Sequence, residues 1–234
     1  MKRMLNRSIY AVLVAGLLAA CSSDTNRETA LPKLAFDAFK DIAATRRAGP
    51  RETITLPASE LAKVEVALLQ VNPEVRGGSD FLQRVATRND SALGRVEIWE
   101  SSDRAQVFLR NGVVVGTRGI GGDIIAAGAK STVHAVRNRV QSSGIRSFVV
   151  SDGDNTTTDY QFRCEVANLG SENIIVANQR LATDHLQERC VGGSSGRDEL
   201  RNDFWVQRST GQVRKSRQWM GPRVGYFEIK LLKN

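Results

Sequence analysis

Gly192-Gly193-Ser194-Ser195-Gly196 has the Gly-Xaa-Ser-Xaa-Gly spacing in which a strained strand-to-helix turn exposes a nucleophilic serine. Such a serine needs a histidine later in the chain, and none follows His185, so the segment reads as a Gly/Ser loop after a strand. Gly119-Ile120-Gly121-Gly122-Asp123 has the glycine density of a phosphate-binding loop. It carries Ile124 where a third glycine belongs and lacks the Gly-Lys-Ser/Thr ending, so a turn needing glycine backbone freedom explains it. Glycoside cleavage needs two carboxyls a few ångström apart, one with a raised pKa. Asp152 and Asp154 fall in an expected turn, where Asp bonds its own backbone, and Glu97 and Glu100 fall on opposite faces of one strand. Trp99, Trp205 and Trp219 could stack on sugar rings, the last two beside Arg214, Arg217 and Gln218, although core packing serves each equally. No constellation commits the chain to catalysis, and no motif calls for a cofactor.

The cysteines say more. Cys21 closes the tetrapeptide Leu18-Ala19-Ala20-Cys21, behind Lys2, Arg3 and Arg7 and an uncharged stretch, residues 9–18. That stretch has the length of a signal-peptide core and is too short to span a bilayer. The pattern resembles a bacterial lipoprotein signal: the Cys21 sulfur takes a diacylglyceryl group, the chain is cut before it, and the new amino group is acylated. Several buried acyl chains, at about 0.8 kcal/mol per methylene, hold a protein on a membrane far more firmly than one would. Ser22 and Ser23 follow, with no Asp directly after the cysteine, which favours the outer membrane in an enterobacterial envelope. An ordinary secretory signal is the alternative. Cys164 and Cys190 then remain as an even pair in an oxidising compartment, where a disulfide is expected. In the chain-entropy model it contributes roughly 3.5 kcal/mol. A zinc site is the rival, but the chain has only His134 and His185 and no Cys-Xaa-Xaa-Cys spacing, so no metal is expected.

Charge is unevenly spread. The chain carries 33 Lys and Arg against 25 Asp and Glu; removing Lys2, Arg3 and Arg7 with the signal leaves 30 against 25, net +5. From residue 201 onward there are eight cations and two anions, Asp203 and Glu228. A basic end on a tethered domain suits lipid head groups, an acidic polysaccharide or a partner's acidic face; a merely solvated face is the other reading. Export from the cytoplasm excludes nucleic acid as the expected partner.

The elements that must position these residues are mostly strands. Residues 22–30 are polar and read, with Cys21, as a tether, and the 214 residues left after removal of residues 1–20 suit one domain, residues 31–234. Leu31, Leu34, Ala35, Ala38, Phe39 and Ile42 fall on one stripe of a short N-terminal helix, bounded by Pro32 and Gly49-Pro50. Beyond it, short Val, Ile, Phe and Thr runs alternate with Gly, Asn, Asp and Ser clusters. Asn111-Gly112 between Val107-Phe108-Leu109-Arg110 and Val113-Val114-Val115 predicts a type I′ hairpin whose arms are apolar on both faces, as in central strands. A second hairpin joins residues 145–151 to 156–166 through Asp152-Gly153-Asp154-Asn155; Tyr160, Phe162, Cys164 and Val166 alternate with Gln161, Arg163 and Glu165, which turns Cys164 inward. Further strands are expected at 64–71, 95–100, 173–177, 183–190, 204–208, 212–219 and 226–232. Such a run without alternating helices predicts a mainly β chain, an antiparallel β-sandwich or barrel-like sheet.

Trp99-Glu100-Ser101, then Asn111-Gly112-Val113-Val114-Val115-Gly116-Thr117-Arg118-Gly119 leading to Gly122-Asp123-Ile124, open an ordered series. Tyr160 with Cys164, Glu188-Arg189-Cys190, Asn202-Asp203-Phe204-Trp205 and Thr210-Gly211-Gln212-Val213-Arg214-Lys215-Ser216-Arg217-Gln218-Trp219 continue it. In this order behind a lipoprotein signal the chain resembles the YjbF/GfcB lipoprotein family, associated with exopolysaccharide and group-four capsule export. The resemblance implies a mostly β fold and a non-catalytic accessory lipoprotein at the periplasmic face of the outer membrane. It implies binding to an acidic polysaccharide or an outer-membrane export protein through residues 117–123 (Thr117, Arg118, Asp123) and 214–223 (Arg214, Arg217, Trp219), with Trp205 nearby. A carbohydrate-active hydrolase using a carboxylate pair, and a structural envelope protein docking on a membrane protein, are the alternatives.

Overall fold

The structure is a computed structural model and describes residues 25–27 and 52–234. The apolar stripe expected at residues 31–42, and Cys21 itself, lie outside the described residues.

Among the described residues thirteen strands and two short helices follow one another: β1 Thr25–Arg27, α1 Ala58–Lys63, β2 Leu68–Pro73, β3 Asp80–Arg88, β4 Val96–Glu100, β5 Gln106–Arg110, β6 Val113–Arg118 and β7 Ile124–Gly128. Then come α2 Lys130–Asn138, β8 Ser142–Gly153, β9 Thr156–Val176, β10 Gln179–Gly192, β11 Asp198–Gln207, β12 Val213–Trp219 and β13 Tyr226–Lys233. Twelve strands form one antiparallel sheet in the order β6-β5-β4-β3-β2-β13-β12-β11-β10-β9-β8-β7. The sheet curls into a nearly closed barrel, as expected, with β6 and β7 meeting at the seam. β1, inside the segment read as a tether, pairs with Ala86, Thr87 and Arg88 of β3, continuing the row that β2 begins at Asp80.

Turn chemistry sets the registers. Asn111 and Gly112 both have positive φ, 49° and 78°, and join β5 to β6 as a type I′ hairpin. Asp154-Asn155 does the same for β8 and β9, so Asp152 and Gly153, read as loop, belong to β8. Ala177-Asn178 folds the 21-residue β9 onto β10, and the strand expected at 173–177 is the end of β9. Where the sequence reading misses an element, the two-residue period is broken. A bulge between Arg84 and Ala86 shifts which side chains of β3 face inward, and another between Ile124 and Ala126 does so in β7, whose Ala126-Ala127-Gly128 end has little side chain to bury. The strand expected from residue 64 begins at Leu68, because residues 58–63 turn helical and Val64 serves as the C-cap. Helix α2 is unannounced: Thr132, Val133 and Val136 are β-branched, and Ala129 before it makes no side-chain cap.

The interior is largely apolar. Leu69, Leu82, Leu109, Phe148, Phe162 and Ile229 fill it, with the Cys164–Cys190 disulfide joining directly opposed residues of β9 and β10. α2 buries Val133, Ala135 and Val136 against Leu186, Phe204 and Val206, covering one end. A third cluster packs Leu56 and Val64 against the tip of the β9–β10 hairpin. The β5–β6 arms were expected in mid-sheet, yet β6 ends the hydrogen-bonded path. Its apolar faces are explained by cover: the Val114 N–H is accepted by Gln218 Oε1 at 2.9 Å, and the Val114 carbonyl accepts from Arg146 Nη2 at 2.8 Å. Side chains reaching across the barrel satisfy this edge where a strand would otherwise be needed.

Candidate functional site

Alternate loops of an antiparallel barrel gather at the same end, and this brings together residues far apart in sequence. At one end stand the β2–β3, β4–β5, β6–β7 and β12–β13 connections. In residues 119–123, Gly119, Gly121 and Gly122 take φ of 79°, 87° and 127°, and Asp123 organises the turn by accepting from the Gly119 and Ile120 N–H groups at 2.8 and 3.0 Å. Thr117 Oγ1 accepts the Ile124 N–H at 2.9 Å. Asp123 and Thr117 therefore hold the loop that carries Arg118. This loop abuts the β12–β13 turn: a Cβ on Gly122 would lie 3.4 Å from the Arg223 Cβ, and one on Gly221 would lie 3.3 Å from the Gly122 carbonyl. Arg76 donates to the Ile120 carbonyl at 2.7 Å from the β2–β3 loop. Arg76, Arg118 and Arg223 are exposed, and none has a carboxylate partner among the described residues.

The other nominated residues are dispersed. Trp205 stacks on His185, ring centroids 4.5 Å apart, lies under the Lys215 ammonium at 4.8 Å and donates to Glu172 Oε2 at 2.7 Å. His185 in turn contacts Asp203 at 2.9 Å, which also accepts from Gln187. Arg217 forks onto Glu74 at 2.6 and 2.8 Å over the face of Tyr226; hydrogen bonding to Glu74 pushes its pKa up. Arg214 is half-buried between the Leu231 carbonyl and Gln207 Oε1, and burial pushes its pKa down. Trp219 packs edge-to-face on Phe148, Tyr160 and Phe162. Residues 214–223 thus form no continuous contact surface; Arg223 alone of the named cations joins the 117–123 loop.

The carboxylates considered for hydrolysis are taken up singly. Glu97 pairs with Arg84 and Arg95 at 3.4 and 3.8 Å, Glu100 accepts from Gln106 at 2.6 Å, and Asp152 accepts from Thr158 at 2.6 Å. Asp90 and Glu228 are held below the usual carboxylate range, the opposite of what a general acid needs. Cys164, Glu188 and Cys190 are the metal-ligand side chains that cluster among the described residues, within 4.8 Å, but the sulfurs are bonded to each other and offer no thiolate.

Two features escaped the sequence reading. Inside the barrel, Arg146 and Glu188 are 1% and 0% exposed with Nε and Oε2 4.0 Å apart. Glu188 shares an inward face with Cys190 two residues on, which is the signal that it is buried. At the end opposite the 117–123 loop, a cleft of about 600 Å³ opens among the β3–β4, β5–β6 and β11–β12 loops and the end of α2, with Trp99 in its lining.

These features define a nearly closed antiparallel β-barrel with a largely apolar interior that holds one buried ion pair, cationic loops at one end and a cleft at the other; no helix among the described residues is long and apolar enough to cross a membrane. A family model described as group 4 capsule polysaccharide lipoprotein gfcB, YjbF, matches residues 33–232, and the chain belongs to that family. A protein of Escherichia coli (strain K12) named uncharacterized lipoprotein GfcB is 27% identical over 146 residues, 58% of this chain and 64% of that one, so the match spans just under two thirds of the relative's length. The crystal structure of the hypothetical lipoprotein YmcC from E. coli (K12) is similar with a TM-score of 0.65 and 19% identity, covering 88% of this chain and 98% of that one; at this identity the likeness establishes the fold.

Proposed function

We propose that the protein is a non-catalytic accessory lipoprotein of capsule or exopolysaccharide production, held at the periplasmic face of the outer membrane by lipid on Cys21. In this reading residues 1–20 are removed, residues 21–30 lead from the lipid to the barrel, and residues 31–234 are one domain. The family match over residues 33–232 carries the proposal. The convergence of Arg76, Arg118 and Arg223 at one end supplies an exposed cationic surface on which an acidic polymer, or the acidic face of an export protein, can bind. Their contribution is screened by salt, because the Debye length falls from about 10 Å at 0.1 M to about 3 Å at 1 M.

The protein purified in detergent is passed over an immobilised acidic polysaccharide. Retention at low ionic strength, release by about 1 M salt, and loss of retention in Arg118→Ala/Arg223→Ala are expected. Flow-through at low salt removes the glycan-binding reading and leaves the export protein to be sought by crosslinking in cells. Metabolic labelling with palmitate is expected to mark the mature chain and to miss Cys21→Ala; an unlabelled mature chain removes the anchor.

A further inference from the structure

The floor of the cleft opposite the cationic loops is made by Leu69, Leu109, Leu231 and Trp99, all at most 9% exposed. Its rim is polar, with Asn89, Asn111, Arg137 and Gln212 from four different segments. The volume, about 600 Å³, falls in the range of small-molecule sites, and an apolar floor under a few polar groups is their usual chemistry.

Two observations say what would fit. The Trp99 indole N–H is buried and has no acceptor among the described residues, although a buried donor without a partner is costly enough that nearly all are satisfied. The nitrogen is itself closed to solvent, so a ligand oxygen completes it when the Trp99 side chain shifts toward the cleft. The charges are also unbalanced: Glu97 is shared by Arg84 and Arg95, while Arg137, exposed on the last turn of α2, has no anionic partner among the described residues. A ligand with a carboxylate would supply one. Amides on Asn89, Asn111 and Gln212 both donate and accept, which suits hydroxyls.

We propose that this cleft binds one acidic sugar residue, its carboxylate on Arg137, a ring or hydroxyl oxygen on the Trp99 N–H and its remaining hydroxyls on the rim amides. The choice of a sugar rests on the polysaccharide reading above. In that arrangement the barrel holds polymer at two ends by different means, unspecific charge at the 117–123 loop and recognition of a residue at Trp99.

The test follows the three tryptophan indole N–H signals by NMR on the detergent-solubilised protein, the Trp99 signal being assigned by its loss in Trp99→Phe. Glucuronate and galacturonate are the probes, with glucose and galactose as neutral controls. At least one uronate should move the Trp99 signal saturably, the neutral sugars should bind at least tenfold more weakly, and Arg137→Ala should weaken the uronate about tenfold. Arg137 is on the surface, so that variant reports on binding even if Trp99→Phe perturbs the core. A Trp99 signal that stays still with both uronates, moves equally with neutral sugars, or titrates unchanged in Arg137→Ala overturns the proposal. A silent cleft alongside polymer retention that Arg118→Ala/Arg223→Ala abolishes would sink the cleft alone; a responsive cleft without retention would sink the cationic-end reading alone.

Discussion

Replacing Glu188 by Gln should be among the most damaging single changes in this protein, although it alters one atom. Glu188 is fully buried, accepts from Asn202 Nδ2 at 2.6 Å and from Thr132 Oγ1, and stands 4.0 Å from the Arg146 Nε. Arg146 has little else: Nη2 donates to the Val114 carbonyl, the guanidinium lies 4.8 Å from the Phe148 ring centre, and Nε and Nη1 have no acceptor among the described residues. Burial pushes the Arg146 pKa down and Glu188 opposes that. Two unit charges at this separation attract by about 4 kcal/mol at an effective dielectric of about 20. Glu188→Gln keeps shape and most hydrogen bonds but leaves a buried guanidinium unpaired, so a loss of about 3–5 kcal/mol is expected. Urea unfolding with the disulfide intact reads this as a fall in midpoint of about 2 M, for an m near 2 kcal/mol/M. Arg146→Met should cost about as much, because it leaves the buried Glu188 carboxylate with only Thr132 and Asn202 and orphans the Val114 carbonyl. The double variant should fall short of the summed losses by about 3 kcal/mol, since the second change removes a charge already without a partner. If Glu188→Gln unfolds within about 1 kcal/mol of wild type, or the two losses simply add, the pair does not act as described.

The remaining predictions concern the staple, a turn and acid. Cys164→Ala/Cys190→Ala opens a loop with a sequence separation of 26, which the chain-entropy model values at about 3.5 kcal/mol, to be read from the shift in urea midpoint. Gly112→Ala should cost about 3 kcal/mol, because φ is +78° and the new Cβ would lie 2.5 Å from the Val213 Cβ; Gly121→Ala, at φ +87° in open space, should cost only about 1 kcal/mol, and thermal unfolding separates the two. Asp90 is held at about 2 by the Arg110 fork at 2.8 and 2.5 Å. At Glu228 burial pushes the pKa up, but hydrogen bonds from Lys230 and Lys215 outweigh it and the net shift is downward. Both folded-state pKa values lie below those of the unfolded chain. Their stabilisation is therefore whole above the unfolded values and drains away as pH falls toward the folded ones. The gap in stability between wild type and Asp90→Asn should close as pH drops from about 4 to about 2.

Local chemistry is legible in the chain because it is local. The Asn111-Gly112 turn, the inward alternation of Phe162, Cys164 and Val166, and the pairing of two cysteines each depend on residues a few positions apart or on simple supply, and each is found as read. The lipoprotein signal proposed at Cys21 is likewise read from sequence alone. Tertiary structure decides the rest. Bulges at Arg84 and Ile124 break the two-residue period, so β3 and β7 are hidden from it, and α2 forms from β-branched residues because the open barrel end gives them apolar cover. Alternation could place Lys215 and Arg217 on one face of β12, but only barrel closure assigns Arg217 to Glu74, 143 residues away, and sets Arg223 against Gly122 of the loop after Arg118. Which cations find a counter-charge is a question of distance across the barrel. Sequence spacing carries that only along a strand, where neighbours are fixed by the 3.3 Å rise; between strands it is set by sheet order, which is a property of the whole fold.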